Sequence, residues 1–387
     1  MRSGAGNPAR RFAAIGVACL ALAGCRAHDF PQYPANYREY AYVTNGASGT
    51  VSVFDLVNVR LDREIAVGRN PVAVAANPAR NEVYVVNSEP GSEHGLISVI
   101  DAEKNAVSAT IPVNRQPVSI DLDREGNLAY VANSGSNTVS VIDVKDRREI
   151  GAIGVGEKPL AARISADGKT LIAANSGSNS VSVVDAASGR VRATFAGCPG
   201  ASDVAIQPDS LKAFAACAGG HQVMAIALAG SGREAQQDRL EAMLDVGRAP
   251  EHLTLKPDGG ETFVLNSASN SVSEVYNSTD EVGSTYLMGN GPANGAVTND
   301  NSLLYVANAR SQFVTLYSID DGRRAGSVHV GEGPSAMAFS TAGHLLFVVD
   351  TGTDDVAAIR TSTRSLFTLL PAGRGPNAIA VKGFSVK

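Results

Sequence analysis

YVANSGSNTVSVIDVKDRREI, residues 130–150, is most of one structural unit, and the rest of the chain repeats it. Tyr130, Val131 and Ala132 make a short strand, and residues 133–137 are a small polar turn. Residues 138–143 alternate β-branched and small side chains with a period of two, which predicts a second strand. Residues 143–148 form a charged turn, and a third strand begins near Ile150. Asn, Ser, Gly and Asp fill the turns because they bond their own backbone or tolerate positive φ. The unit is part of an antiparallel meander.

Its first strand recurs along the chain. YVTN stands at 42–45, YVVN at 84–87, YVAN at 130–133, IAAN at 172–175, FAAC at 214–217, FVLN at 263–266, YVAN at 305–308 and FVVD at 347–350. The last positions are separated by 42, 46, 42, 42, 49, 42 and 42 residues. A fixed period of this length with four strand signals predicts the blades of a β-propeller. The fourth, innermost strand is a short apolar run after a Gly-x-x-Pro turn. Eight such runs begin near Pro71, Pro117, Pro159, Ala201, Pro250, Pro292, Pro334 and Pro376. The chain enters on a YVxN strand and ends on an inner strand, so one blade must combine both ends, which closes the ring and removes open edges. The expectation is an all-β propeller of eight four-stranded blades over residues 41–384. Seven blades is the alternative, if one terminal unit packs outside the ring.

The tetrapeptide at 42–45 and its repeats resemble the YVTN family of β-propellers, which includes YncE-like periplasmic proteins and archaeal surface-layer repeat proteins. The resemblance covers nearly everything after residue 41 and implies the fold. It implies little about function, since propellers host binding proteins, lactonases and dehydrogenase subunits alike. The family is commonly seven-bladed, so the eighth unit is a departure.

The 387 residues are 44% hydrophobic and 18% charged, with a formal net charge of −5. This suits a globular core and gives no bulk attraction to nucleic acid or anionic lipid. With no Trp and 5% aromatic residues, stacking platforms for bases or sugars are scarce. Arg2, Arg10 and Arg11 precede an apolar run at 12–23. A helix of that length spans roughly 18 Å, short of a bilayer core of about 30 Å, so residues 1–24 read as a signal peptide. Leu22-Ala23-Gly24-Cys25 resembles the bacterial lipobox. That resemblance implies a lipid on Cys25 and cleavage before it. With Arg26 following, it also implies an outer-membrane anchor facing the periplasm. An ordinary signal peptide is the alternative. Residues 25–40 read as a tether. Of the remaining cysteines, Cys198 stands where a Gly-x-x-Pro turn has Gly and Cys217 where YVxN has Asn. Both belong to loops at one end of adjoining strands in an exported chain, which predicts a disulfide.

That end, here the top face, carries the Gly-x-x-Pro turns and the loops after YVxN. The turns hold Arg69, Arg115, Lys158, Arg248 and Arg374 against Glu157 and Glu332. The functional reading is a mildly positive mouth for an anionic ligand or acidic partner; the bland one is solvated turns with no common target. Ser119, Asp121, Arg163, Asp203, Glu251, His252, Thr254 and Asn294 lie on inner strands and are placed to line the channel. Glu251 beside His252 is the most chemical-looking pair, a base or a metal ligand by type. His94 and His221 fall on top-face loops of other blades, so no metal site is expected. The DLDREG run at 121–126 lacks the far Glu of a calcium loop and reads as a turn. The repeated Asn of YVxN and the Asp at 55, 101, 143 and 185 read as turn-formers. Residues 89–95 and 229–243 are insertions, the second with a short helix over 233–243. Both are places for partner contact.

The sequence carries no Gly-x-Ser-x-Gly, His-Glu-x-x-His, Cys-x-x-Cys or P-loop motif. The leading reading is a monomeric, lipid-anchored envelope protein that binds a protein, polymer or anionic small molecule without turning it over and without a cofactor. The alternatives are a lactonase-type hydrolase using Glu251 and His252, and an accessory protein for a redox cofactor or nucleic acid.

Overall fold

Each repeat folds as a four-stranded antiparallel sheet, and eight sheets complete the ring. The computed structural model describes residues 31–229 and 237–386. The inner strands start at Pro71, Pro117, Pro159, Ala201, Pro250, Pro292, Pro334 and Pro376, the positions read from the sequence. Blades 2 to 8 span 71–113, 117–154, 159–196, 201–245, 250–287, 292–329 and 334–371. Blade 1 takes three strands from one end, Tyr37–Asn45, Thr50–Asp55 and Arg60–Ala66, and its inner strand, Pro376–Ser385, from the other. That pairing runs antiparallel from Tyr37↔Ser385 to Asn45↔Pro376. The first strand thus begins within the stretch read as tether. The leader 1–24 and Cys25 lie outside the described residues.

The core lies between blades rather than inside any one of them. Tyr84, Val86, Ile97 and Val99 of blade 2 are fully buried against Val131 and Ile142 of blade 3. Both faces of a middle strand are therefore covered, and Glu82–Asn87 is buried at every position after the first. The alternation in Thr138–Asp143 comes from a different cause. Ser140 is buried and accepts the Asn133 side-chain amide at 2.9 Å.

The repeated Asn is structural, but not by left-handed backbone. It ends the strand, buried, and its Nδ2 crosses to the next strand: Asn45 to Ser52, Asn175 to Ser182 and Asn266 to Ser273, at 2.9, 2.9 and 3.0 Å. The Gly of Gly-x-x-Pro makes room for it. A Cβ on Gly68 would lie 2.6 Å from Cγ of Asn87, and one on Gly247 2.6 Å from Cγ of Asn266. Blade 5 replaces both partners, and Cys198 and Cys217 form a disulfide with Cα atoms 4.7 Å apart. The Asp residues do form the next turn: Asp55 Oδ1 accepts from Val57 and Asn58, and Asp101 Oδ1 from Glu103 and Lys104.

The helix expected over 233–243 is a correction. From Arg239 onward the chain is the outer strand of blade 5, Arg239–Asp245, paired with Gln222–Ala227. The exposed edge of the third strand needs a ladder partner, and that demand outweighs local helix propensity. Residues 230–236 of this insertion lie outside the described residues.

Candidate functional site: the mouth of the central channel

Inner strands run from the top face toward the bottom, so their third and fifth residues stack below the Gly-x-x-Pro turns. In blades 3 to 7 the third residues are Ser119, Ala161, Asp203, His252 and Asn294, while blades 8, 1 and 2 have Ala336, Ala378 and Ala73. The fifth residues add Asp121 and Arg163 on the first side, and Ala338, Ala380 and Ala75 on the second. The ring is polar on one arc and alanine on the other. Between them lies a cavity of about 310 Å³, reached by Arg163, Asp203, Glu251 and His252 from one side and by Ala73 and Ala378 from the other.

The polar arc is bonded from blade to blade. His252 Nδ1 lies 2.8 Å from Asp203 Oδ2, and its Nε2 lies 3.3 Å from Asn294 Nδ2. Arg163 Nη2 stands 3.5 Å from the other Asp203 oxygen. The Leu253 amide donates to Asp203 Oδ2 at 3.1 Å. Asp121, one blade further, accepts the Ile164 and Leu122 amides, each at 3.0 Å. Burial pushes the Asp203 carboxyl up, but His252, Arg163 and the Leu253 amide together outweigh it and bring it down to about 2. For Asp121 burial prevails over Arg163 and the two amides, and its carboxyl is raised.

The carboxylate partner of His252 is therefore Asp203 of the neighbouring blade rather than Glu251. Glu251, its neighbour on the strand, is exposed and lines the same cavity beside the couple. The aligned repeats carried the missing signal, because Asp203 and His252 occupy the same third position of consecutive inner strands. With Asp203 accepting at Nδ1, that nitrogen holds the proton and Nε2 is left as an acceptor when the ring is neutral.

The rim cations do not converge. Arg69 is tied to Glu89 of the first insertion at 2.6 Å, and Arg248 Nη2 donates to the Ala268 carbonyl at 3.3 Å. Arg115, Lys158 and Arg374 sit on turns of separate blades, fixed through their backbones to Ser136, Asn137 and Ala47. His221 Nδ1 accepts the Ala249 amide at 3.4 Å. In the DLDREG run, Asp123 Oδ1 accepts the Asn127 and Leu128 amides and closes the turn. Among the described residues, no group of three or more His, Cys, Asp or Glu side chains is placed to hold a metal ion.

A closed ring of repeated four-stranded blades around a polar channel mouth defines a β-propeller with a central cavity. The chain belongs to the YncE-like β-propeller family, whose family model matches residues 125–385. No curated protein sequence matches it. Among solved structures it is similar to the dihydro-heme d1 dehydrogenase NirN in complex with DHE, at 13% identity over 91% of this chain and 76% of that one, with a TM-score of 0.71. It is also similar to Citrobacter koseri AztD, at 13% identity over 91% and 99% of the two chains, with a TM-score of 0.66. Kuenenia stuttgartiensis hydrazine synthase matches at 22% identity over 83% and 92%, with a TM-score of 0.57. Likeness at these identities extends to the fold alone.

Proposed function

We propose that this propeller is an exported, lipid-anchored protein of the cell envelope that binds a small polar ligand in the mouth of its channel without transforming it. The observation that carries the reading is the broken symmetry of the ring. Three blades meet the fold's needs with alanine at the third and fifth inner positions, whereas blades 3 to 7 place Asp121, Arg163, Asp203, His252 and Asn294 there. Packing does not call for a half-buried charged arc, and partly desolvating it is costly, so it is accounted for by a ligand. Arg163 would take an acidic group, while Asn294 and the His252 ring would bond donors or acceptors beside it.

A hydrolase is the second reading, favoured by the Asp203–His252 couple, which has the form of an oriented general base. Against it, among the described residues no Ser, Thr or Cys is hydrogen-bonded to His252, and Ser202 is engaged with the Pro250 carbonyl. The experiment is capture of a metabolite pool on the purified chain from residue 26 onward, read by mass spectrometry. Retention of a small polar compound by the wild type, and its loss in Arg163→Ala, is the expected result. Retention that survives both Arg163→Ala and His252→Ala overturns the proposal; recovery of a chemically altered compound moves the assignment to the hydrolase. For the anchor, radiolabelled palmitate is expected on the full chain and not on Cys25→Ala.

A further inference from the structure

Three blade junctions on the bottom face are closed in a similar way. The first residue of a YVxN strand and its aromatic third residue meet the turn before the outer strand of the next blade. Between blades 2 and 3, Glu82 receives the Tyr84 hydroxyl at 2.8 Å and Arg147 at 2.8 Å, so one carboxylate joins a phenol and a guanidinium. Between blades 5 and 6 the charges are exchanged, and Lys212 meets Asp280 at 2.7 Å. Between blades 1 and 2 the Tyr42 hydroxyl donates to Asn105 at 2.6 Å. Each of these junctions closes its own polar set.

The junction of blades 7 and 8 does not. Tyr305 occupies the place of Tyr84, and Arg364 the place of Arg147, with the same left-handed turn backbone, φ 53° against 52°. The place of Glu82 is taken by Leu303. The Tyr305 hydroxyl is fully buried and has no hydrogen-bond partner among the described residues, and a cavity of about 440 Å³ opens beside it, with Leu303, Phe339 and Arg364 on its wall. Asp300, the acid on the rim, spends Oδ1 on its own loop, accepting from Thr298 and Ser302. Burial pushes the Tyr305 phenol up to about 12, so it is a donor at any physiological pH.

We infer that this bottom-face cavity binds a small organic carboxylate, whose oxygens take the place that the Glu82 carboxylate fills between Tyr84 and Arg147. The phenol and guanidinium donate to it, a charge-assisted pairing that fits a carboxylate better than a neutral amide. Leu303 and Phe339 supply an apolar wall for its carbon skeleton. The site is separate from the channel mouth and stands or falls independently of the ligand proposed there.

The test is isothermal titration of the purified chain with benzoate and acetate, with benzamide as the neutral control. Benzoate is expected to bind and benzamide not. Arg364→Gln and Tyr305→Phe should each weaken benzoate about tenfold. Leu303→Glu supplies the carboxylate in cis and should abolish binding. Absence of carboxylate binding at millimolar ligand overturns the inference, as does binding of unchanged strength in Arg364→Gln, a substitution at an exposed turn that leaves the fold intact. Equal binding of benzamide overturns it as well.

Discussion

Blade 8 departs from the repeat at Asp350, which stands where six other blades have Asn. Asp350 is fully buried, and its Oδ2 accepts the Gly331 amide at 2.9 Å. Its Oδ1 and that of Asp355, the residue opposite it on the next strand, have no hydrogen-bond partner among the described residues. Burial pushes the Asp350 carboxyl up to about 8; the Gly331 amide opposes this and Asp355 adds to it. A carboxyl raised in the folded state stabilises fully below its unfolded value, near 3.8, and that contribution is lost as pH rises through about 8. Holding the proton at pH 7 against an unfolded value of about 3.9 costs up to about 4 kcal/mol, at about 1.36 kcal/mol per unit. Asn at this position needs no proton, and its Nδ2 can donate to Asp355. Asp350→Asn should therefore stabilise the protein by roughly 2–4 kcal/mol at neutral pH and above. At about 2.1 cal/mol/K per residue of unfolding entropy, this is a rise of roughly 3–5 °C in Tm for a chain of this size. The assay is thermal unfolding of wild type and variant from pH 4 to pH 9. The gain should be absent near pH 4 and grow toward pH 8. A gain independent of pH, or a loss at pH 8, would refute the reasoning.

Two further outcomes follow from the same geometry. Reducing the Cys198–Cys217 bond, which spans 19 residues of sequence, should cost about 3 kcal/mol in urea unfolding. The double variant Cys198→Gly, Cys217→Asn restores the contact of the other blades, and its stability should not respond to reductant. Asp203, brought down to about 2, contributes stability that is present above its unfolded value and is lost as pH falls through about 2. Asp203→Asn should be less stable than wild type by about 2 kcal/mol at pH 7. That difference should close between pH 4 and pH 2, as followed by circular dichroism.

The architecture was legible in the sequence because each blade makes the same local demands. A buried Asn needs a glycine turn beside it, and a tight turn needs Asp, so the period survives in letters. The disulfide was legible for the same reason: Cys198 and Cys217 fall on two repeat positions that touch in six of the other blades. The channel arc was legible only as a set of residues. That His252 takes Asp203 rather than its chain neighbour Glu251 depends on which way each side chain leaves its strand and on contacts between blades. The cavity beside Tyr305 was hidden for a further reason. Its signal is a leucine where another blade has a glutamate, and a leucine at the start of a strand attracts no notice until the junctions are superposed. The outer strand of blade 5 was misread because pairing with Gln222–Ala227, not composition, makes Arg239–Asp245 extended.

The join in blade 1 has a consequence for how the molecule is made. Residues 37–66 are synthesised before the other seven blades, yet they lack an inner strand until Pro376–Ser385 appear after them. Throughout synthesis the nascent chain is an open arc with two unpaired rims, each a template for a stray strand. Local hairpins can form early, but the ring acquires its circular cooperativity only in one late, long-range step. A ribosome that stops before Pro376 leaves seven finished blades and one that cannot close. The strand Pro376–Ser385 thus decides whether the ring keeps two open rims or none.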